Sequence, residues 1–187
     1  MLNTFVVYVE NKPGVLTRVA SLFRRRAFNI DSLTVGRTEK PEVSRMTIVV
    51  DADRDQAIRV EANLYKLVNV LFVENITGKS SISRDLAMIK VSATHGDRSH
   101  VLELVNVFRA RVVDVGPESL TIEITGPEAK IDGLLEVLRP YGIVEMVRTG
   151  VVAMRRGFAK PDEAAASPAA ENGAATVASD DNISYSV

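Results

Sequence analysis

The chain contains no cysteine and no tryptophan, and only two of its 187 residues are histidine. The absence of cysteine excludes disulfide bonds, thiolate nucleophiles, iron–sulfur clusters and cysteine-ligated zinc. The two histidines, His95 and His100, are five positions apart, which does not match a helical metal-binding pair. We therefore predict no metal site, and the lack of cysteine is consistent with a cytoplasmic protein.

Long apolar runs and strong charge are missing as well. No stretch approaches the roughly 18 apolar residues that a membrane-spanning helix needs. The first residues also lack the basic and apolar segments of a signal peptide. The formal net charge is −1, whereas nucleic-acid-binding domains usually have a basic face. We therefore expect a globular protein that binds neither membranes nor nucleic acids.

Motifs of catalytic sites are absent too. The sequence has no GxSxG, no GxxxxGK[ST] and no GxGxxG that opens a helix, and its carboxylates are scattered over turns and polar helix faces. We predict no catalytic residue, and a binding module is a better interpretation than an enzyme.

The first 78 residues predict the order strand, helix, strand, strand, helix, strand. The apolar run Leu2–Glu10 is typical of a central strand, and shorter runs at Asn29–Gly36, Val43–Val50 and Val70–Ile76 predict three more. Asp51 or Asp53 is expected to cap the second helix. The two helices are predicted to face the core with Val15, Leu16, Val19, Leu22, Phe23, Ala57, Val60, Leu64, Leu67 and Val68.

Residues 79–158 repeat this order. Strands are predicted at Leu86–Ala93, Arg111–Val115, Ser119–Thr125 and Ile143–Gly150. Asp97 or Ser99 is expected to cap the first helix, and Pro127 to occupy the first position of the second. The predicted core residues of these helices are Val101, Leu102, Val105, Phe108, Ile131, Leu134, Leu135 and Leu138.

The repeated order is that of the split βαβ, ferredoxin-like unit, an antiparallel four-stranded sheet with two helices on one face. We therefore predict an α+β fold of two tandem ferredoxin-like βαββαβ domains, at residues 1–78 and 79–158. Each unit would expose its bare sheet face or an edge strand, which favours dimerisation. Residues 159–187 contain nine alanines, one lysine and five acidic residues, and this composition predicts a disordered tail.

The turn between the first strand and the first helix is the one local feature with a binding mechanism. Pro13 is tolerated at a helix start, and Gly14 allows close approach to the backbone. The amides of Gly14, Val15 and Leu16 would be free donors at the positive end of the helix, which suits a carboxylate. Asn11 can donate and accept, which suits a zwitterionic amino acid. An ordinary strand-to-helix turn remains the alternative.

The segment NKPGVLTRVASLFRRRAFNIDSLTVGRTEKPEVSRMTIVV resembles the N-terminal ACT domain of acetolactate synthase (acetohydroxyacid synthase) regulatory subunits. The resemblance continues through LYKLVNVLFV, RDLAMIKVSA, FRARVVDV and LLEVLRPYGIVEMVRTGVVAMRRG, and it covers about residues 1–157. The combination of N-x-x-G-V-L, FNIDSLTV and SRMTI is typical of this family rather than of ACT domains at large. The resemblance implies an N-terminal ACT domain followed by a C-terminal ferredoxin-like domain.

The resemblance also implies an effector site at a dimer interface. There the glycine turn of one protomer meets the start of the second strand of the other, and the effector is valine, sometimes leucine or isoleucine. Carried over by position, the effector residues are Asn11, Gly14 and Asn29. Taken alone, Asn29 indicates little, because asparagine is common in left-handed turns. The flanking contacts implied in the same way are Lys12, Pro13, Val15, Leu16 and Ile30.

The implied partner is the large catalytic subunit of acetolactate synthase, which a homodimer of this chain would activate and make sensitive to valine in branched-chain amino-acid biosynthesis. Thiamine diphosphate, Mg²⁺ and FAD would belong to that catalytic subunit, so we expect no cofactor in this chain. Two alternatives stay open. One is a stand-alone ACT sensor that regulates another enzyme, and the other is an RNA-binding ferredoxin-like module that stacks bases on Phe5 and Tyr8.

Overall fold

A computed structural model describes residues 1–157, so the predicted tail and its predicted disorder lie outside the described residues. The first unit consists of β1 (Leu2–Glu10), α1 (Val15–Arg25), β2 (Ile30–Arg37), β3 (Val43–Asp51), α2 (Arg54–Leu64) and β4 (Val70–Asn75). The second consists of β5 (Ser81–Ser92), α3 (Arg98–Val107), β6 (Arg111–Val115), β7 (Ser119–Gly126), α4 (Glu128–Leu138), a 3-10 turn (Arg139–Tyr141), β8 (Ile143–Arg148) and β9 (Val152–Arg155).

Both units build the same antiparallel sheet. The strand order is β2-β3-β1-β4 in the first sheet and β6-β7-β5-β8 in the second. Each order places the first and third strands of the unit at the centre, as the split βαβ topology requires. The prediction of two tandem ferredoxin-like units in an α+β fold is confirmed. No helix within residues 1–157 is long and apolar enough to cross a bilayer.

Each unit has its own apolar core between the sheet and its two helices. Alternate residues of β1 point to the helices, since successive strand side chains face opposite sides. The first core contains Phe5, Val7, Val9, Val19, Phe23, Met46, Ile48, Val60 and Leu64, among others. The second contains Ile89, Val91, Val101, Leu120, Ile122, Ile124, Ile131, Leu134 and Leu138, among others.

Three predicted core residues are instead exposed. Leu16 is 44% exposed, because Val15, Val19 and Leu22 form the buried stripe of α1 and Leu16 lies beside that stripe. Val68 is 92% exposed, because α2 ends at Leu64 and the chain has left the helix by then. Leu102 is 39% exposed on the outer side of α3.

The helix starts follow the sequence closely. Asp53, and not Asp51, caps α2: its carboxylate accepts from the Gln56 amide at 2.8 Å, and the Gln56 side chain accepts from the Asp53 amide at 2.9 Å. This reciprocal capping box pairs two amides that would otherwise lack partners. Asp97 precedes α3 without such a bond, and Pro127 precedes α4 as its cap rather than as its first residue.

The strand β9 and the first part of β5 form a two-stranded ribbon that the sequence did not predict. Ser81–Arg84 pair antiparallel with Val152–Arg155, whereas the prediction began the strand at Leu86. The ribbon lies on the bare face of the first sheet, where Ala153 packs with Val6 and Ile76 in a small buried cluster. The chain itself therefore covers part of the bare sheet face, which was one of the two surfaces that we expected to be exposed.

The junction between the ribbon and the second sheet contains a buried ion pair. Asp85 is 3% exposed, and its carboxylate accepts hydrogen bonds from Arg148 Nε at 2.7 Å and from Thr149 Oγ1 at 3.1 Å. Arg148 also pairs with Asp132 of α4, at 3.0 Å. Burial alone would lower the pKa of Arg148, but the hydrogen bond and charge of Asp85, together with the charges of Asp132 and Glu128, outweigh it and raise the pKa above its ordinary value.

Replacing Arg148 should therefore destabilise the second unit. Arg148→Met leaves the Asp85 carboxylate buried without its cationic partner, and we expect a loss of about 3–5 kcal/mol in the free energy of unfolding. The control is Arg111→Met, which removes a more exposed pair with Glu123 in the same sheet and should cost less than about 1 kcal/mol. Urea unfolding followed by circular dichroism measures both, and equal losses would contradict the assignment.

Candidate functional site

The predicted binding turn lies at the end of β1, and its geometry depends on Gly14. This residue precedes the first residue of α1 and has a left-handed backbone with φ of +81°. That conformation favours glycine, because a β-carbon there is crowded against the backbone. A β-carbon built on Gly14 would meet no atom within 4 Å, so the space in front of the turn is open.

Free backbone donors point out of this turn. Within residues 1–157, the amides of Gly14, Leu16 and Thr17 have no hydrogen-bond partner. The Val15 amide, predicted to be free, instead donates to the Lys12 carbonyl at 3.4 Å. The first turn of α1 has no acidic side chain that would neutralise the positive end of the helix. The turn therefore presents amides and a positive helix end to an anion.

Asn11 connects the binding turn to the loop between β2 and β3. Its backbone amide donates to the Glu42 carbonyl at 2.7 Å, and its Nδ2 donates to the Pro41 carbonyl at 2.9 Å. No donor among the described residues bonds to Asn11 Oδ1. This oxygen can therefore accept a hydrogen bond from an ammonium group.

The binding turn is supported by a network of polar side chains that the sequence analysis did not predict. Asn69, which is buried, donates to the carboxylate of Glu10 and accepts from the guanidinium of Arg18. Lys12 Nζ lies 3.0 Å from Glu10 Oε2. The hydrogen bonds from Asn69 and Lys12 lower the pKa of Glu10. No local signal reveals this network, because Asn69 is more than fifty positions away from both Glu10 and Arg18.

The remaining predicted residues, Asn29 and Ile30, lie at the opposite end of the first unit. Ile30 pairs with Val50, and Val50 pairs with Asn3 at the beginning of β1. The binding turn follows the last residue of β1. The 11 residues of α1, about 16 Å at the usual rise, also separate the two positions. One protomer therefore does not bring Asn29 to Gly14.

The side chains of the predicted residues differ in accessibility. Leu16 and Asn29 are exposed and Ile30 is half-buried, so all three can contact a ligand at the surface. Val15 is buried in the first core, so its side chain is not exposed in a single protomer, and its contact with the effector stays a prediction. Its role is to anchor α1 below the turn.

The two edge strands of the first sheet differ. On β4, the hydroxyl of Tyr65 donates to the Val73 carbonyl at 2.9 Å and accepts from the Val73 amide at 3.1 Å. This side chain occupies the position that another strand would take. The outer edge of β2 has no equivalent partner within residues 1–157. Of the two edges, β2 is therefore the one that can pair with a second chain.

A separate cavity of about 560 Å³ lies between the bare face of the first sheet and the ribbon. Glu74 pairs there with Lys79 and with Arg155, each at 3.1 Å. None of the predicted site residues lines this cavity. Among the described residues there is also no group of three histidine or acidic side chains that would hold a metal ion.

Comparison with known families matches both units. Residues 5–72 match the model of the AHAS small subunit-like ACT domain, and residues 84–157 match the model of the small subunit of acetolactate synthase. The two matches correspond to the two ferredoxin-like units.

Individual relatives agree with these matches. The chain is 52% identical to a probable acetolactate synthase small subunit of Archaeoglobus fulgidus, over 86% of this chain and 100% of that one. It is 52% identical to the acetolactate synthase small subunit of Mycobacterium bovis, over 83% of this chain and 92% of that one. The crystal structure of the Thermotoga maritima small subunit superimposes with a TM-score of 0.79 at 38% identity, covering 85% of this chain and 99% of that one. The chain belongs to the acetolactate synthase small-subunit family.

Proposed function

We propose that this chain is the regulatory subunit that activates the catalytic subunit of acetolactate synthase and mediates its feedback inhibition by valine. The observation that carries the proposal is the open turn at Gly14, with its free amides at the start of α1. The family membership supports the choice of enzyme. The regulatory role is supported by a fold whose polar turn suits a small zwitterion.

In this proposal the effector's carboxylate accepts hydrogen bonds from the amides of Gly14, Leu16 and Thr17. Its ammonium group donates to Asn11 Oδ1 and to Asn29 of a second protomer. The exposed side chain of Leu16 and the half-buried Ile30 of the second protomer form an apolar contact for the branched side chain. Such a contact separates valine from leucine by only about 1–3 kcal/mol per methylene.

A homodimer would bring the two halves of this site together. In a two-fold antiparallel pairing of β2 with β2, the start of one strand lies beside the end of the other. The end of β2 leads into the loop that contains Pro41, which Asn11 contacts. This pairing would therefore move the second protomer's Asn29 towards the binding turn, and effector binding would depend on dimer geometry.

Regulation through such a site requires little energy. A coupling of about 1–3 kcal/mol makes the effector bind one conformation roughly 5- to 150-fold more tightly than the other. Thiamine diphosphate, Mg²⁺ and FAD would be bound by the catalytic subunit, which condenses two pyruvates to 2-acetolactate, or pyruvate with 2-oxobutyrate. We also propose a cytoplasmic location alongside that enzyme.

The structure does not favour the RNA-binding alternative. Phe5 is completely buried in the first core. Tyr8 packs at 6.0 Å from the ring of Phe72 and accepts a hydrogen bond from Arg45. Neither ring is free on an open sheet face, as base stacking requires. A stand-alone ACT sensor would use the same turn, and reconstitution with the catalytic subunit distinguishes it from the regulatory subunit.

Placing a carboxylate at Gly14 should abolish the response to valine. Gly14→Asp sets a negative charge where the effector's carboxylate would bind, and we expect the Kd for valine to rise by more than about tenfold. The control is Gly78→Asp, since Gly78 also has a left-handed backbone, with φ of +71°, and open space before it. Calorimetric titration and inhibition of the reconstituted enzyme measure the effect. A valine response retained by Gly14→Asp would disprove the site.

Charge on the β2 edge should weaken the homodimer. Val35 on β2 and Leu71 on β4 are each 46% exposed, so they form a matched pair on the two edge strands. We expect Val35→Asp to shift the chain towards monomer, because paired strands would bury two unmatched charges, while Leu71→Asp remains dimeric. Sedimentation equilibrium measures both, and dissociation by Leu71→Asp alone would move the interface to the other edge.

The support that Glu10 gives to the turn should depend on pH. Because the folded state lowers the pKa of Glu10, its stabilising contribution is present above the ordinary glutamate pKa and is lost as pH falls through the lowered value. Wild type should therefore melt at a higher temperature than Glu10→Gln near neutral pH, and the difference should shrink in acid. A difference in melting temperature that is independent of pH would contradict this role.

A further inference from the structure

The strand β2 carries the proposed effector residues at its start and touches the second unit farther along. Its residue Leu33 packs against the first core, while Ser32 and Thr34 face the other side of the sheet. The Val151 amide donates to Ser32 Oγ at 2.9 Å, and Thr34 Oγ1 donates to the Val151 carbonyl at 2.8 Å. Two side chains of β2 therefore satisfy both main-chain polar groups of Val151.

The contact is so close that a β-carbon on the residue before Val151 would displace Ser32. Gly150 has a φ of +85°, and a β-carbon built there would lie 2.6 Å from Ser32 Oγ. Such a distance does not occur without displacement, so β2 and the segment at Gly150 touch without intervening atoms. A shift of β2 along or across the sheet would change this contact directly.

The residues just before Gly150 are fixed to the second unit. Arg148 and Thr149 both donate to the buried carboxylate of Asp85, and the Thr149 amide donates to the Leu86 carbonyl at 3.0 Å. Arg148 also reaches Asp132 on α4. Only Gly150 separates the residues held by the second sheet from Val151, which is held by β2. The segment of residues 148–151 is therefore short, and it has few residues over which to absorb a displacement of β2.

The pairing of β2 with β3 is irregular near the beginning of β2. The pairing with β3 shifts by one residue between Ile30 and Ser32, which leaves Asp31 outside the regular ladder. Such a bulge interrupts the ladder locally. It separates the proposed effector residues, Asn29 and Ile30, from the two residues that hold Val151.

We propose that Ser32 and Thr34 couple effector binding at the start of β2 to the position of the second unit, by holding both main-chain polar groups of Val151. This inference rests on the proposed valine site. An effector that displaces the start of β2 changes the hydrogen bonds to Val151, and the anchored segment passes this change to Asp85 and α4. Ser32 and Thr34 are positioning residues that do not touch the effector.

The test separates binding from inhibition. We would compare wild type with the double variant Ser32→Ala, Thr34→Val in the full chain, reconstituted with its catalytic subunit. The double variant should bind valine with a Kd within about threefold of wild type, since no effector contact is removed. Its maximal inhibition by valine should fall by more than about half, because the coupling is lost.

A second readout follows the segment itself. Valine should change hydrogen–deuterium exchange in residues 143–151 of wild type and leave that exchange unchanged in the double variant. Thr34→Ser, which keeps the hydroxyl, should retain inhibition. Thr121→Val is the matched control, because this residue lies on the bare face of the second sheet and its hydroxyl has no partner within residues 1–157. It should behave as wild type.

The outcomes distinguish this inference from the proposed function. If wild type binds valine and the double variant is inhibited equally, the coupling is overturned and the effector site stands. If the double variant loses binding in proportion to inhibition, the two residues support the binding site itself and the coupling is again overturned. If wild type binds no valine, the proposed function fails and the inference fails with it.

Discussion

A four-stranded sheet with both helices on one face leaves its other face uncovered. In the first unit, the ribbon formed by β9 and the start of β5 covers part of that face. Ala153 packs on Val6 and Ile76, while Arg45 donates to the Ala153 carbonyl. Burial of apolar surface favours this contact. Because Arg84 and Val152, at one end of the ribbon, connect directly to the second sheet, the contact that covers the first unit also places the second.

This arrangement suits the proposed regulatory role. The described residues present an open amide turn at Gly14, a free β2 edge and a tightly held junction at Asp85. In the proposed site the turn and Asn29 belong to different protomers, so an effector would stabilise one dimer geometry over others. The hydrogen bonds from β2 to Val151 would extend that preference to the second unit.

The sequence predicts the two units well because the apolar pattern of a strand or helix involves only residues that are near one another in the chain. The predicted bounds of β1 and β6 match the structure, and most predicted helix core residues are buried. The ribbon was not predicted, because β9 has only four residues and pairs with residues about seventy positions earlier. The Glu10–Asn69–Arg18 network was not predicted either, because its residues are far apart in the sequence. The turn at Gly14 could be recognised because its donors come from neighbouring residues. The distance between Asn29 and Gly14 within one protomer, in contrast, follows only from the register of the sheet.

The central claim is that valine binds between the Gly14 turn of one protomer and the start of β2 of another. A crystal structure of the full chain grown with valine tests it most directly. We expect density for valine with its carboxylate on the amides of Gly14, Leu16 and Thr17 and its ammonium between Asn11 and the second protomer's Asn29. An empty turn in a structure that holds valine elsewhere, or a turn filled by the protein's own side chains, would contradict it.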